Sequence, residues 1–329
     1  MRITLKQVAD DTGLSIATVS RALRRNKRKY SSNENRIYEA AKRLGYPFIE
    51  KQEEGQKIVI AILTDVHQNE FYSALFKGFT DASKCLECEI VFINLPKDVL
   101  DISQYIAELS KMYSGICIFL PNLEKIEYKR IKYAVGTYPL VSLNVIKNSS
   151  IDTVSFDSYG GGYMIAKHFE EQGFKDFGII SGPKRAVDAT FRKNGFIDQI
   201  AEKNDYSLSW EFRGDFSIKS GKEAFKDYKE KVNNRLAIFG CNDNMCFGFM
   251  KAAFEFGLKI PDDFIIAGFD NLSFCEVFTP ELTSIAVDFN NVALKAIRTI
   301  ENMKDDSSEI IQNLSMVPVK IVIRASTQR

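Results

Sequence analysis

The sequence has few of the residues and motifs on which enzymes depend. Only two histidines, His67 and His168, occur among 329 residues, and neither has the spacing of a metal-ligand set or a catalytic triad. The chain also lacks a GxxxxGK(S/T) phosphate loop, a GxGxxG turn, a nucleophile elbow and an HExxH helix. These absences predict a protein that is not an enzyme and that carries no cofactor.

Long apolar runs are also missing. No run approaches the roughly 20 residues that span a bilayer, and the N-terminus shows no apolar signal segment. We therefore expect no membrane partner and a cytoplasmic location. The six cysteines mostly lie inside apolar runs, which predicts buried thiols. Cys85 and Cys88 form a CxxC pair, but no second pair or nearby histidine completes a zinc site, so no metal is expected.

Charge is distributed unequally along the chain. The formal net charge is only +1, yet residues 1–46 hold eleven lysines and arginines against four acids. That segment therefore carries +7, and the rest of the chain carries −6. A basic head on an acidic body is typical of a DNA-binding module attached to a sensing domain.

Residues 4–23 predict two short helices joined by a tight turn. Gly13 supplies the turn, and Thr4 and Ser15 are placed to cap the two helices. Apolar side chains recur at helical spacing, at Leu5, Val8 and Ala9 and then at Ile16, Val19 and Leu23. This pattern indicates a helix-turn-helix, whose second helix fits the major groove of DNA. A helical hairpin with a merely solvated face is the alternative.

The polar side of the second helix suits DNA. Thr18, Ser20 and Arg21 lie away from the apolar stripe, and arginine can pair with guanine while hydroxyls and a helix N-terminus suit phosphate. A basic loop, residues 24–29, follows and favours phosphate contacts. A third helix is expected after Ser31 and Ser32, with Ile37, Ala40, Ala41 and Leu44 on its inner face.

The run Ala17-Thr18-Val19-Ser20-Arg21 and the later Ala40-Ala41-Lys42-Arg43-Leu44-Gly45-Tyr46 resemble the headpiece of the lactose-repressor (LacI/GalR) family. In that family the positions of Ile16 and Ala17 set operator choice. The helix, these positions and the basic loop together give the DNA-binding candidates: Ser15, Ile16, Ala17, Thr18, Ser20, Arg21, Arg25 and Arg28.

After residue 57 the pattern changes to alternating strands and helices. Residues 58–63 form a continuous apolar run, typical of a strand buried on both faces of a parallel sheet. The alternation continues to Asn144 and starts again near Asp157, which predicts two doubly wound α/β lobes with a cleft between them. Strands ending in Asn144, Asn242 and Asp270 would aim polar side chains at that cleft.

The second half of the chain also resembles the family, whose core is similar to a periplasmic sugar-binding protein. Three stretches support this: Phe191-Arg192-Lys193-Asn194-Gly195-Phe196, Gly268-Phe269-Asp270-Asn271 and Thr279-Pro280-Glu281-Leu282-Thr283-Ser284. The resemblance implies interleaved lobes, with crossings near Asp157, Asp288 and Ser308. The expected domains are a helix-turn-helix headpiece (1–46), a short linker (47–57) and an effector-binding and dimerisation core (58–329). Within the core we expect an N-lobe of about 58–156 plus 289–308 and a C-lobe of about 157–288 plus 309–329.

The family also implies where a ligand would bind. Sugars are held by planar hydrogen-bonding groups and aromatic rings, and the matching positions are Asn69, Phe71, Tyr72, Asn144, Arg192, Phe216, Asn242 and Asp270. Each has a structural alternative: Asn242 could cap the following helix, Arg192 could pair with Asp188, and Phe71 and Phe216 could be core residues.

The resulting prediction is a transcriptional repressor of carbohydrate genes, controlled by a small sugar and acting as a homodimer on a near-palindromic operator. A purine or a phosphorylated protein as the effector is one alternative, and a sugar-binding or sugar-processing protein without a regulatory role is another. Tetramers are not expected, because no heptad tail follows the last strand.

The linker departs from the family's pattern. Typical members carry here a hinge helix whose leucine wedges into the minor groove and bends the duplex. Residues 47–57 are roughly five residues shorter than that pattern, contain no leucine and carry three acids. A short acidic helix is disfavoured near phosphates, so we predict that no hinge helix forms. Phe48 or Ile49 replacing the wedge is the alternative.

Overall fold

The computed structural model describes residues 3–24, 32–46, 58–65, 70–146, 150–305 and 313–328. The chain divides into two compact units, Met1–Ile58 and Val59–Arg329. The linker and three of the predicted site residues, Arg25, Arg28 and Asn69, lie outside the described residues.

The first unit contains the predicted helix-turn-helix. Its helices are α1 (Leu5–Thr12), α2 (Ile16–Arg24) and α3 (Ser32–Arg43). Gly13, with φ of 68°, ends α1 in the left-handed conformation that glycine adopts without strain. Val8, Val19, Leu23, Ile37 and Ala41 form a small shared core. Arg36 Nη2 donates to the carbonyl of Thr12 at 2.7 Å and ties α3 to the end of α1.

The second unit contains two six-stranded sheets. The first sheet has the strand order β11-β5-β4-β3-β1-β2, and its neighbours are all parallel. Its strands are β1 (Val59–Thr64), β2 (Glu89–Asn94), β3 (Gly115–Phe119), β4 (Leu140–Ser142), β5 (Asp152–Phe156) and β11 (Leu314–Val317). Helices α4 (Glu70–Cys85), α5 (Ile102–Leu109), α6 (Lys125–Val135) and α11 (Phe289–Asp305) accompany this sheet.

The second sheet has the order β12-β10-β9-β8-β6-β7, and only the edge strand β12 runs antiparallel, against β10. Its strands are β6 (Asp176–Ser181), β7 (Ser207–Arg213), β8 (Ala237–Gly240), β9 (Ile265–Asp270), β10 (Thr283–Ala286) and β12 (Lys320–Val322). Its helices are α7 (Ser158–Glu171), α8 (Val187–Ala201), α9 (Ile218–Lys231) and α10 (Asp243–Glu255), with a 3₁₀ turn at Ser273–Glu276.

Burial accounts for the apolar character of the central strands. Every residue of β3 and β9 is buried, because helices cover both faces of each sheet. α11 packs closely on α4: a Cβ at Gly78 would lie 2.7 Å from the carbonyl carbon of Phe289. This close approach places α11 on the first sheet, as the predicted second crossing near Asp288 requires.

The third crossing corrects the sequence-based boundaries. Residues 309–317 were assigned to the C-lobe, but β11 pairs with β5 in the first sheet, from Leu314 opposite Thr153 to Val317 opposite Phe156. The chain therefore crosses after Val317, not near Ser308. The N-lobe gains β11, and the C-lobe keeps β12.

Three strands, β5, β10 and β11, were not predicted. Their sequences, DTVSF, TSIA and LSMV, are short and contain serine or threonine, so the apolar pattern is diluted. In β10 the buried hydroxyls have partners: Thr283 Oγ1 donates to the carbonyl of Arg324 at 3.0 Å, and Ser284 Oγ to Asp243 Oδ1 at 2.6 Å. Hydrogen bonds of this kind make polar strand residues tolerable in a core.

The cysteines lie as predicted, with five of the six buried. Cys85 is exposed at the last residue of α4. Across the described ranges, no helix combines the length and the apolar character needed to cross a membrane.

Candidate DNA-reading helix and effector cavity

The N-terminal end of α2 presents a continuous exposed face. Ser15, Ile16, Ala17 and Thr18 are exposed, and so is Arg21 one turn later. Ile16 keeps 48% of its surface accessible, although Val19 and Leu23 of the same helix are buried. Ser20 is half-buried, at the edge of this face.

Ser15 caps α2, as the sequence predicted. Its Oγ accepts the backbone N–H of Thr18 at 3.1 Å, and the two hydroxyls lie 2.8 Å apart. The cap leaves the N-terminal turn of α2 ordered and accessible. Backbone N–H groups and the helix dipole at such an end favour phosphate, and Arg21 lies exposed one turn further along the same helix.

The two sheets of the second unit face a cavity of about 740 Å³. It lies at the carboxyl ends of the parallel strands, the usual ligand position in open α/β sheets, and its volume is typical of small-molecule sites. Both lobes contribute side chains. The predicted residues that line it are Phe71, Tyr72, Arg192, Phe216, Asn242 and Asp270.

Arg192 and Asp270 form the buried polar centre of this cavity. Arg192 Nη2 lies 3.2 Å from Asp270 Oδ1, and Nη1 donates to the carbonyl of Cys241. The guanidinium also stacks on Phe269, with Cζ 3.8 Å from the ring centroid. Arg192 Nε and Asp270 Oδ1, the second of which is in ion-pair contact with Arg192, are buried without a hydrogen bond from any described residue.

Burial raises the pKa of the acids around this centre. The pKa of Asp270 is raised to about 6, although the charge of Arg192 opposes the rise. The pKa of Asp188, one helical turn before Arg192, is also raised by burial and lowered in part by Arg192. Behind Asp270, burial and the charge of Asp270 raise the pKa of Asp243 to about 8.

Six aromatic rings form the apolar wall. Phe71 is the centre of one cluster, with ring centroids 5.2 Å from Phe119, 5.3 Å from Phe289 and 5.6 Å from Tyr72. Rings at such distances stack or meet edge to face and hold one another in place. The rings that reach the cavity are Phe71, Tyr72, Phe119, Phe156, Phe216 and Phe274.

Asn242 both caps a helix and lines the cavity. Its Oδ1 accepts the N–H of Met245 at 3.1 Å at the start of α10, and its Nδ2 donates to the carbonyl of Phe216 at 3.0 Å. Phe216 has φ of 69° and Asp270 has φ of 111°. Positive φ is uncommon for such residues and concentrates at functional sites.

Known proteins resemble this chain in its second half and along its whole length. The periplasmic binding protein-like domain family matches residues 166–327. The NTD biosynthesis operon regulator of Bacillus subtilis (strain 168) is 27% identical over 337 residues, which cover 98% of this chain and 99% of that protein. The ribose operon repressor of Halalkalibacterium halodurans is 27% identical, with 99% of this chain and 97% of the repressor covered. The transcriptional repressor PurR of Mannheimia succiniciproducens is 24% identical, with 99% of each covered.

The fold agrees along the whole chain. The structure of the lac repressor dimer bound to operator and the anti-inducer ONPF superposes with a TM-score of 0.74 at 22% identity, and each chain is covered completely. Over almost its whole length the chain is similar to transcriptional regulators and repressors of the LacI/GalR type. Like these relatives, it is a DNA-binding transcriptional regulator and not an enzyme.

Among the predicted effector contacts that the structure describes, one lies outside the cavity lining. Asn144 is buried behind the wall, where its Nδ2 lies 3.5 Å from Asp188 Oδ2. Asp188, which is not among the residues predicted from the sequence, does line the cavity. The alternative pairing of Arg192 with Asp188 is replaced by the contact of Arg192 with Asp270.

Several lining residues were missed, although the sequence carried a signal for some of them. Phe119 ends β3, so the rule that selected Asn242 and Asp270 applies to it as well. Phe156 ends β5, a strand that the sequence pattern does not predict. Asp188 lies four residues before Arg192 on one face of α8. The further missed residues include Glu70, Asn122, Asp215, Lys219, Asn244 and Phe274.

Proposed function

We propose that this protein is a cytoplasmic repressor of carbohydrate-utilisation genes whose operator affinity changes when a sugar binds in the cavity between its lobes. The buried Arg192–Asp270 pair within an aromatic wall carries this proposal. Its charged atoms can hold hydroxyls, and the rings can cover the apolar face of a sugar.

A ligand in this cavity would act on contacts that already join the lobes. Glu70 Oε1 of the N-lobe accepts the N–H of Ser273 of the C-lobe at 3.0 Å. Asn144 and Asp188 form a second link. An effector that touches both lobes favours one lobe arrangement, and it changes operator affinity only as far as its affinity differs between arrangements.

Two copies of the chain would bind one operator. A single headpiece offers few base-reading side chains, chiefly Arg21 and the exposed Ile16, whose methyl groups suit thymine. Two heads related by twofold symmetry double the contact and require a near-palindromic site. Sedimentation should show a dimer with and without operator, whereas a monomer on half-sites would contradict this arrangement.

A purine is the second candidate effector. The six rings of the wall favour it, because a flat heterocycle can stack between aromatic side chains. Its ring nitrogens could also use Asp270 and Arg192. The two candidates can be distinguished by removing hydroxyl groups from the ligand. A deoxy sugar loses polar contacts and should bind more weakly, whereas a purine base has no hydroxyl group to remove.

Thermal shift of the full-length protein tests the proposal. A panel of monosaccharides, disaccharides and purine bases is screened, because a bound ligand raises the melting temperature. We expect a sugar to raise it and to change operator affinity in a gel-shift assay. A shift by purines alone supports the second candidate, and no shift by either class contradicts both.

Two phenylalanines provide a matched pair of variants. Phe216→Ala removes a ring from the cavity wall and should weaken sugar binding at least tenfold. Phe254→Ala removes a ring that is 75% exposed on the outside of α10, and should leave sugar binding unchanged. Equal effects of the two variants would argue against the cavity as the effector site.

A further inference from the structure

The charges lining the cavity are unequal. Among the described residues, four carboxylates line it, against two basic side chains, Arg192 and Lys219. The carboxylates are those of Glu70, Asp188, Asp215 and Asp270. A cavity built for phosphorylated or acidic effectors would show the opposite balance, with arginine and lysine in excess.

The charges of two of the carboxylates, Asp270 and Asp215, are compensated by a basic side chain or by solvent. Arg192 is held at Asp270. Lys219 lies at the rim, with 87% of its side chain exposed and its Nζ 3.8 Å from Glu223. Asp215 is exposed as well and accepts the N–H of Ser217 at 2.9 Å. The rim is therefore solvated and contributes little to selectivity inside the cavity.

Asp188 and Glu70 remain as the unmatched carboxylates. Asp188 is 9% exposed, its Oδ2 lies at the long distance of 3.5 Å from Asn144, and its Oδ1 has no hydrogen bond from a described residue. Glu70 uses Oε1 for Ser273, while its buried Oε2 has no partner within the described ranges. A buried carboxylate oxygen without a hydrogen-bond partner favours the binding of a ligand that brings a strong hydrogen-bond donor.

The ligand that satisfies both the charge and the geometry is a polyhydroxylated amine. An ammonium group donates up to three charge-assisted hydrogen bonds to carboxylates, and it is attracted to aromatic faces such as those of the wall. A neutral sugar supplies weaker donors, and a sugar phosphate is repelled.

We propose that the effector is an amino sugar whose ammonium group donates to Asp188. This inference rests on the proposed function, since it names the chemical class of the sugar. Arg192 and Asp270 hold the ring hydroxyls, and Asp188 distinguishes the amine from the parent sugar. The preference for the amine over the parent sugar depends on the positive charge of the ammonium group, so it is lost when the nitrogen is acylated.

Isothermal titration of the full-length protein with matched sugars tests it. The panel contains the 2-, 3-, 4- and 6-amino-deoxy derivatives of glucose and galactose, the parent sugars, the N-acetyl derivatives and the 6-phosphates. One of the amines should bind at least tenfold more tightly than its parent. Its N-acetyl derivative should bind no more tightly than the parent, and the phosphates should bind most weakly.

Asp188→Asn keeps the shape of the side chain and removes its charge. This variant should reduce the amine preference to within threefold and should strengthen binding of the 6-phosphate, a gain that a merely structural role would not produce. Asp198→Asn is the control, because Asp198 lies exposed on the same helix, where its carboxylate accepts the Tyr159 hydroxyl at 2.9 Å. It should leave all affinities unchanged.

The outcomes separate this inference from the proposed function. If neutral sugars bind at least as tightly as every amine, the amino-sugar inference is wrong and the proposed function stands. If Asp188→Asn leaves the preference intact, the assignment to Asp188 is overturned. If no sugar of any kind binds, both proposals fail. Should Asp188→Asn not fold, the comparison of amine with N-acetyl derivative on the wild-type protein still decides the inference.

Discussion

Arg192 Nη2 lies 3.2 Å from Asp270 Oδ1, and only 5% and 3% of the two side chains remain exposed. Arg192 comes from the middle of α8 and Asp270 from the last position of β9, so the pair joins a helix to the edge of a sheet. A buried ion pair of this kind adds little net stability compared with apolar packing. Its position in the cavity, with unsatisfied atoms on both partners, indicates that it serves ligand binding.

Breaking this pair should destabilise the protein strongly. Arg192→Met leaves the Asp270 carboxylate buried without its counter-ion, and we expect the free energy of unfolding to fall by about 3–5 kcal/mol. Lys193→Met is the control, since the neighbouring Lys193–Glu211 pair is 25% and 31% exposed and should contribute no more than about 1 kcal/mol. Urea unfolding measures both variants. Similar losses for the two would contradict the buried position of Arg192.

The stability of the core should fall as the pH rises from about 4 to about 8. The pKa of Asp243 is raised to about 8 and that of Asp270 to about 6, in both cases first by burial. The folded state therefore holds protons that the unfolded state has released, so its advantage is complete below the unfolded pKa and is lost as the pH passes the folded pKa. Urea unfolding at pH 5, 6, 7 and 8 measures this slope.

Two substitutions test the source of that slope. Asp243→Asn removes one of the buried titrating groups, so the slope should become flatter. Asp81→Asn is the control: the hydrogen bond from Lys77 lowers the pKa of this exposed carboxyl below its usual value, so it does not titrate between pH 5 and 8 and the slope should not change. A slope that is the same in the wild type and in Asp243→Asn would contradict the raised pKa of Asp243.

Arg21 should read a base. Arg21→Ala is expected to cost about 1–3 kcal/mol on the operator and little on random DNA. Neutralising Arg25 and Arg28, by contrast, should weaken binding to both DNAs equally and reduce its dependence on salt. Fluorescence anisotropy over a range of salt concentrations measures the affinity for operator and for random DNA and its dependence on salt. An equal loss of affinity for operator and random DNA in Arg21→Ala would contradict the base-reading role of Arg21.

The shortened linker should leave the operator without a sharp bend. Residues 47–57 contain no leucine to wedge between base pairs and carry three acids that phosphates repel. Circular-permutation gel shift measures the bend angle for the wild type and for a variant carrying both Phe48→Ala and Ile49→Ala. A sharp bend that disappears in the double variant would show instead that Phe48 and Ile49 take over the wedge.

Much of the fold follows from local patterns. The helix-turn-helix is set by a cap at Ser15, a glycine turn and apolar side chains every three or four residues. The strands β1 and β3 follow from continuous apolar runs. The interleaving of the lobes, in contrast, came from the family resemblance. The predicted last crossing lies about ten residues too early, because β11 has only four residues and a serine interrupts its apolar pattern, LSMV.

The sequence by itself determined the class of the protein: a basic headpiece that is helical through local capping and periodicity, followed by alternating strands and helices. Local spacing is enough for that, because helices and strands bury one face at a fixed period. Only the tertiary structure decided how the cavity is charged. Asn144, Asp188 and Arg192 are equally polar in the sequence, but folding places Asn144 behind the wall, pairs Arg192 with Asp270 and leaves Asp188 facing the cavity. Which carboxylate finds a partner depends on contacts between residues up to 78 positions apart, and no local period encodes those contacts.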